Sequence, residues 1–293
     1  MDHNLKIKQI ISYIKTSLRD YYPPEEISGF IFLIFEHFFS MSRTELLMKQ
    51  DTDICHEFVM KIKYVVNELR KYRPLQYIIN QTEFFGLPLF VNPDVLIPRP
   101  ETEELVDWII QNHHEKEYHI LDIATGSGCV AIALKKNLPD SQVFATDVSE
   151  KAIEIAKNNA QKNNAQVHYF TDDIFNSQSR INHLKFDIIV SNPPYVTEKE
   201  KKQMQTNVLK YEPHQALFVP DHDPLVFHRV ITDFSIKHLK AFGWLYLEIN
   251  EAFGKEAMQL LKISGFSETE IKKDINGKNR MIKACWKNAP SET

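Results

Sequence analysis

From about residue 118 onward, short apolar runs alternate with amphipathic ones, and this alternation restricts the fold more than any other feature of the chain. Residues 119–123, 143–146, 167–170, 186–191 and 244–248 read as strands, and 127–138, 149–163, 224–239 and 254–264 carry helical spacing. Two last strands are expected near 270–272 and 281–285, around the turn at Asn276-Gly277. Strands joined by helices in this way form a mostly parallel sheet covered on both faces, an α/β fold. Ligands of such sheets sit outside the carboxyl ends of the strands, where strand order reverses. The loops that follow strands are therefore where chemistry is expected.

The preceding part reads differently. Ile7, Ile10, Ile11, Ile14 and Leu18 keep helical spacing, as do Ile27, Phe30, Ile31, Ile34, Phe35 and Phe38 after the Pro23-Pro24 entry. Ser42 with Glu45 is a capping box, and Ile54, Phe58, Ile62, Val65, Val66 and Leu69 form another stripe that stops before Pro74. Such stripes predict a small helical bundle over residues 1–74. Residues 1–80 hold ten acids against eleven Lys and Arg, a near-neutral balance that suits protein docking better than a grip on phosphates. Thr82-Glu83-Phe84-Phe85 and Leu89-Phe90-Val91, around Gly86-Leu87-Pro88, predict a hairpin linker over 75–95. The α/β domain then spans 96–293, entered through Ile97-Pro98-Arg99-Pro100-Glu101-Thr102-Glu103.

Net charge is -4, which argues against a protein held mainly by nucleic acid. Cys55, Cys129 and Cys285 lie far apart in no disulfide or metal-ligand pattern, so buried thiols in a reducing compartment are expected. No H-E-x-x-H motif occurs, no metal is called for, and His113-His114 falls in a polar stretch expected to be solvated. The start lacks the form of a signal peptide, and the most apolar run, 27–39, is short and holds Glu36 and His37. A cytoplasmic protein without membrane contact is expected, as a monomer.

Leu121-Asp122-Ile123-Ala124-Thr125-Gly126-Ser127-Gly128 leaves the first strand and opens a helix. The glycines let backbone pass close to a ligand. Gly126-x-Gly128-x-x-Ala131 fits the dinucleotide fingerprint, and Asp147, ending the second strand, stands where an acid can take both ribose hydroxyls. A nicotinamide dinucleotide and S-adenosyl-L-methionine therefore compete. Asp122 favours the second, because a carboxylate there would repel a pyrophosphate but suits an ammonium and a sulfonium. A plain helix-start acid at Asp122 and an N-cap role at Asp147 are the competing structural roles. After the third strand, Asp173 is placed toward an adenine amine, with Ile174 or Phe175 over the ring; an acidic surface turn competes.

Asn192-Pro193-Pro194-Tyr195 follows the strand 186–191. Two prolines hold the chain extended and offer no N–H, so the Asn192 side-chain oxygen and the Pro193 carbonyl make a rigid acceptor edge. That edge can accept both hydrogens of a planar NH2 group. Such groups occur on glutamine and on adenine, cytosine and guanine.

These motifs together resemble the HemK family, the protein-(glutamine-N5) methyltransferases of class I peptide chain release factors. The likeness runs from about Arg73 to Lys283 and includes Arg73-Pro74, Val95-Leu96-Ile97-Pro98-Arg99-Pro100-Glu101-Thr102-Glu103, Thr125-Gly126-Ser127-Gly128-Cys129, Asp147-Val148-Ser149 and Asn192-Pro193-Pro194-Tyr195. It implies a class I methyltransferase: a Rossmann-like seven-stranded sheet behind a helical bundle and a β-hairpin. It implies S-adenosyl-L-methionine held by Asp122, Ala124, Thr125, Gly126, Ser127, Gly128, Asp147, Asp173, Ile174 and Asn192. It implies a release-factor glutamine held by Asn192, Pro193 and Pro194, with Tyr195 walling its side chain and without direct nucleic-acid binding. Arg99 and Glu101 are expected to close the site or touch the substrate loop, or else to form an ion pair pinning the linker. The chain departs from the family at Ala124, where glycine is usual, a change that is tolerable if the backbone angle is ordinary. It departs again at Asp221-His222-Asp223-Pro224-Leu225 and at Asn250 and Gly254.

Overall fold

The computed structural model describes residues 4–114, 116–176 and 181–287. The chain divides into two compact units. The first runs up to Asn80 and also takes in Gln205–Tyr211; the second is the remainder.

The first unit holds α1 (Ile7–Leu18), α2 (Pro24–Phe39), α3 (Arg43–Met48), α4 (His56–Leu69) and α5 (Leu75–Ile79). Pro24 stands at the first turn of α2, where a missing N–H costs nothing. Ser42 and Glu45 cap α3 reciprocally: the Glu45 N–H donates to Ser42 Oγ (3.2 Å) and the Ser42 N–H to Glu45 Oε2 (3.1 Å). Ile7, Ile10, Ile14 and Leu18 pack with Ile31, Ile34, Phe35, Ile62, Val66 and Leu69 in one core. A two-residue antiparallel pair, β1 (Leu5–Lys6) with β2 (Asp53–Ile54), ties the start of α1 to the approach to α4. Cys55, beside it, is exposed rather than buried.

The second unit begins with β3 (Gln81–Phe84) and β4 (Leu87–Phe90), an antiparallel hairpin. Its turn is Phe85-Gly86, both at positive φ (53° and 72°), so Pro88 lies inside the second strand and not in the turn. A two-residue turn of this hand matches the twist of the strands it joins. Its sequel is α6 (Pro100–Asn112), β5 (His119–Ile123), α7 (Cys129–Asn137), β6 (Gln142–Asp147), α8 (Glu150–Lys162), β7 (Val167–Thr171), β8 (Phe186–Ser191) and β9 (Val196–Thr197). After α9 (Thr206–Tyr211), which belongs to the first unit, come β10 (Phe218–Val219), α10 (Val226–His238), β11 (Leu239–Glu248), α11 (Gly254–Ile263), β12 (Ser267–Lys273) and β13 (Asn279–Trp286).

Seven strands form one sheet in the order β12-β13-β11-β8-β5-β6-β7. All neighbours from β11 to β7 are parallel, and β13 runs antiparallel to both β11 and β12. Alternate side chains feed two cores. Ile120, Val143, Ile188 and Val190 pack with α6 and α7, whereas Leu121, Phe144, Ile189 and Leu245 pack with Ile231 of α10 and Leu261 of α11. The order reverses between β5 and β8, so a crevice is forced open beyond their carboxyl ends. Ser191 Oγ donates to the Ile123 carbonyl (2.7 Å) and locks those two strand ends together.

His113, expected in solvent, is buried instead, with Nε2 at 2.9 Å from the Tyr246 hydroxyl and its ring edge-on to Tyr118 and Tyr246. Burial, with Lys283 nearby, pushes its pKa down to about 4. No helix among the described residues is long and apolar enough to cross a membrane.

Candidate active site

A cavity of about 330 Å³ lies at the switch point. Asp122, Ala124, Thr125, Gly126, Ser127, Asp147, Asp173, Ile174, Asn192, Pro193, Pro194 and Arg99 all line it. Gly128, Tyr195 and Glu101 do not.

The glycine turn is built by four hydrogen bonds. The Thr125 hydroxyl donates to Asp122 Oδ2 (2.6 Å), and the Thr125 N–H donates to the Thr146 carbonyl (2.9 Å). The Gly128 N–H donates to the Thr125 carbonyl (2.9 Å), and the Gly126 N–H to Asp147 Oδ2 (2.9 Å). The two glycines differ in purpose. Gly126, at φ +54°, has open space where a Cβ would stand and lines the cavity. At Gly128, φ +83°, a Cβ would come within 3.0 Å of Ala156 Cβ and of the Tyr169 hydroxyl, so this glycine lets the turn pack on α8. Ala124 has φ +59°, in the left-handed region, so the ordinary backbone angle that would make alanine harmless there is not present.

Buried Asn159 of α8 braces the same turn. Its Nδ2 donates to the Ser127 and Phe90 carbonyls (2.9 Å each), and its Oδ1 accepts the Phe90 N–H (2.7 Å). Glycine turn and hairpin are thereby held by one amide.

Both strand-end acids are buried. Burial pushes the Asp122 carboxyl up to about 7, opposed chiefly by the Thr125 hydroxyl. Burial also raises Asp147, against the N–H groups of Ser149 and Gly126. Each gains from a cationic or hydroxyl-bearing ligand that keeps it ionised. Among the described residues the cavity lining holds five aspartates (Asp94, Asp122, Asp147, Asp172, Asp173) and a single cation, Arg99. That wall repels a pyrophosphate and fits a sulfonium, an ammonium and a ribose, so the residues present fit S-adenosyl-L-methionine and not a dinucleotide. Asp173 also closes its own turn, accepting the Phe175 N–H (3.0 Å). Phe175 meets Phe227 edge-on at 5.1 Å, giving that end of the cavity apolar walls.

At the opposite end stands Asn192-Pro193-Pro194. Asn192 Nδ2 donates to Thr102 Oγ1 (3.0 Å), which leaves Asn192 Oδ1 and the Pro193 carbonyl without partners among the described residues. Thr102 donates to Glu248 Oε2 (2.7 Å), and Tyr195 donates to Glu248 Oε1 (2.7 Å). Tyr195, expected to wall an acceptor side chain, is therefore turned toward the sheet and off the cavity wall. Arg99 pairs with buried Glu212 (2.7 Å), whose other oxygen accepts the Ile97 N–H (3.4 Å). The linker is thus pinned by Arg99 with Glu212, not by Arg99 with Glu101.

A methyltransferase small domain model matches residues 102–217, and a PrmC N-terminal domain model matches residues 9–79. A release factor glutamine methyltransferase of Flavobacterium psychrophilum is 45% identical over 96% of this chain and 99% of its own. This chain belongs to the release factor glutamine methyltransferase family. A second member of that family, from Bacteroides thetaiotaomicron, is 42% identical over 95% of this chain and 99% of its own. Among solved structures, a methyltransferase from Pyrococcus furiosus matches with a TM-score of 0.52 and 19% identity over 78% of this chain and 98% of its own, a likeness of fold alone. As a family member the protein is an S-adenosyl-L-methionine-dependent methyltransferase with the class I fold.

Thr102, Glu248 and Phe227 carry roles that the motifs did not disclose. Glu248 had a signal. Like Asp147 it is an acid closing an apolar strand of the parallel set, and an acid at that position points into the ligand crevice or pairs beneath it.

Proposed function

We propose that this enzyme methylates the N5 amide nitrogen of a glutamine in a class I peptide chain release factor. The observation that carries the reading is a pair of acceptors without partners among the described residues, Asn192 Oδ1 and the Pro193 carbonyl, beside a cavity walled by aspartates. S-adenosyl-L-methionine supplies an electrophilic methyl group on a neutral-leaving sulfur.

The two acceptors each take one N–H of the glutamine and hold its nitrogen in line for attack. An amide nitrogen is a weak nucleophile, and two partly negative oxygens favour the positive charge that grows on it. Transfer would form the N–C bond as the donor's C–S bond broke, with the electron pair left on sulfur and one N–H proton passing from the nitrogen to water. Asp147 would accept the ribose hydroxyls while still holding the Gly126 N–H. Asp122 would face the positive end of the cofactor, and Asp173 with Ile174 would take the adenine. Pro194 stiffens the acceptor edge, and Arg99 with Glu212 pins the segment before α6 beside the cavity.

The acceptor molecule is a protein. Net charge is -4 and the first eighty residues are nearly neutral, so no phosphate-gripping surface is indicated. The helical unit is the docking module for the release factor, and the enzyme works as a cytoplasmic monomer. Methyl-labelled cofactor offered together with a release factor, transfer RNA and ribosomal RNA tests this. Label should enter the release factor alone; label in either RNA would overturn the reading.

A further inference from the structure

An acceptor edge works only if the correct end of the Asn192 amide faces the cavity. Turned over, the same side chain would present NH2 to an NH2 group and repel it. The structure holds a device that sets this orientation. Asn192, Thr102, Glu248 and Tyr195 come from the loop after β8, the first turn of α6, the end of β11 and the approach to β9, and they meet in one chain of hydrogen bonds. Thr102 and Glu248 are nearly inaccessible, 2% and 1% exposed, so water does not substitute for the link between them, and Asn192 and Tyr195 close its two ends from partly buried positions.

The direction of that chain follows from donor counting. A carboxylate only accepts, and Glu248 takes one hydroxyl on each oxygen. Thr102 has a single hydroxyl proton and gives it to Glu248, so toward Asn192 it offers only a lone pair. That lone pair demands an N–H, which Asn192 Nδ2 supplies at 3.0 Å. Oδ1 is then left on the cavity side. Burial raises the Glu248 pKa, while the Thr102 and Tyr195 hydroxyls and the Arg280 guanidinium act in the opposite sense.

We propose that Glu248 is a positioning residue that, through the Thr102 hydroxyl, fixes Asn192 Oδ1 toward the substrate and thereby makes the site select an amide over a carboxylate. The proposal rests on the reading of Asn192 as an acceptor of substrate N–H. Its consequence is specificity. With Oδ1 outward, a glutamate in place of the target glutamine meets an acceptor and is rejected; with the amide reversed, it meets a donor and binds.

Four variants of the full-length enzyme test the relay: T102V, T102S, E248Q and N192A. T102V keeps the volume of the side chain and removes its hydroxyl, whereas T102S keeps the hydroxyl and removes a methyl. The relay predicts that T102V lowers kcat by about 100-fold or more, as loss of a fixed polar contact does, with T102S held within about tenfold of the parent. E248Q, nearly isosteric, replaces an acceptor by an N–H; with that N–H toward Thr102 the relay reverses, and the variant should fall with T102V. Cofactor affinity, measured by calorimetry, should move by no more than about threefold in either. A release factor whose target glutamine is changed to glutamate supplies the readout that packing alone does not move. It should compete at least about tenfold better against T102V and E248Q than against the parent.

If T102V turns over as fast as T102S, or if the glutamate form competes equally against all enzymes, the relay is wrong. N192A separates that failure from a deeper one. An inactive N192A beside an active T102V and E248Q sinks the relay alone, while an active N192A sinks the acceptor reading on which it stands.

Discussion

Asp147 Oδ2 accepts the backbone N–H of Gly126 at 2.9 Å, so the last residue of β6 holds the turn that follows β5. The other oxygen accepts the Ser149 N–H at 2.9 Å. One buried carboxylate thus shapes the glycine turn, starts α8 and still has lone pairs for a ribose. Asp147→Ala should leave two N–H groups unsatisfied and lower stability by about 2 kcal/mol. Cofactor affinity should fall by about 100-fold, since charge-assisted hydrogen bonds are lost as well. Calorimetric titration checks this; an unchanged dissociation constant would remove Asp147 from the cofactor site.

Asp122 should make cofactor binding depend on pH. Burial lifts its pKa to about 7 in the free enzyme, so it is largely protonated below that. A cationic ligand prefers the carboxylate. Affinity should therefore rise with pH up to about 7 and level off above it, with proton release on binding below about 7. For folding the sign is reversed. A raised carboxyl pKa stabilises the free enzyme at low pH, and that contribution is lost as pH rises through about 7. Titration in buffers of different ionisation enthalpy should show the released proton in the parent and not in Asp122→Asn.

Ala124 sits at φ +59°, where a Cβ is strained. Ala124→Gly should stabilise the free enzyme by about 1 kcal/mol and raise Tm by about 2 °C. A lower Tm would mean that the turn tolerates the methyl better than its backbone indicates.

His113 is kept neutral by burial, with its pKa held down to about 4. The unfolded chain takes up a proton first as pH falls, so this residue's contribution is full above about 6.5 and is lost on acidification toward about 4. Between pH 7 and pH 5 it should amount to about 2 kcal/mol. Urea unfolding of the parent and of His113→Phe checks it: the variant should lose less stability over that range, although Tyr246 forfeits a partner.

The alternation of strands and helices was legible because each element obeys its own period. Strand β8 ends where its apolar run ends, at Ser191. Ser149 caps α8 as its position before a helical run suggests. Strand β11 starts five residues earlier than its apolar run, because Leu239 pairs with Phe186 and the register slips before Trp244, past Phe242 at positive φ. Nothing local announces such a slip. His113 is buried by Tyr118 and Tyr246, aromatic partners that a polar neighbourhood in the chain does not reveal. The site divided along the same line. Asp122, Gly126, Asp147 and Asn192 stand in motifs, so their residue types and spacing point to the crevice. The Thr102–Glu248 pair joins positions 146 residues apart and exists only once the sheet has formed.

The most direct measurement is tandem mass spectrometry of a class I release factor after incubation with S-adenosyl-L-methionine and either the parent enzyme or Asn192→Ala. The account predicts one methyl group, on the side-chain amide nitrogen of a single glutamine, with the parent. It predicts none with Asn192→Ala, although that variant still binds the cofactor. Methylation at a lysine, an arginine or a backbone nitrogen, or an undiminished yield from Asn192→Ala, would contradict it.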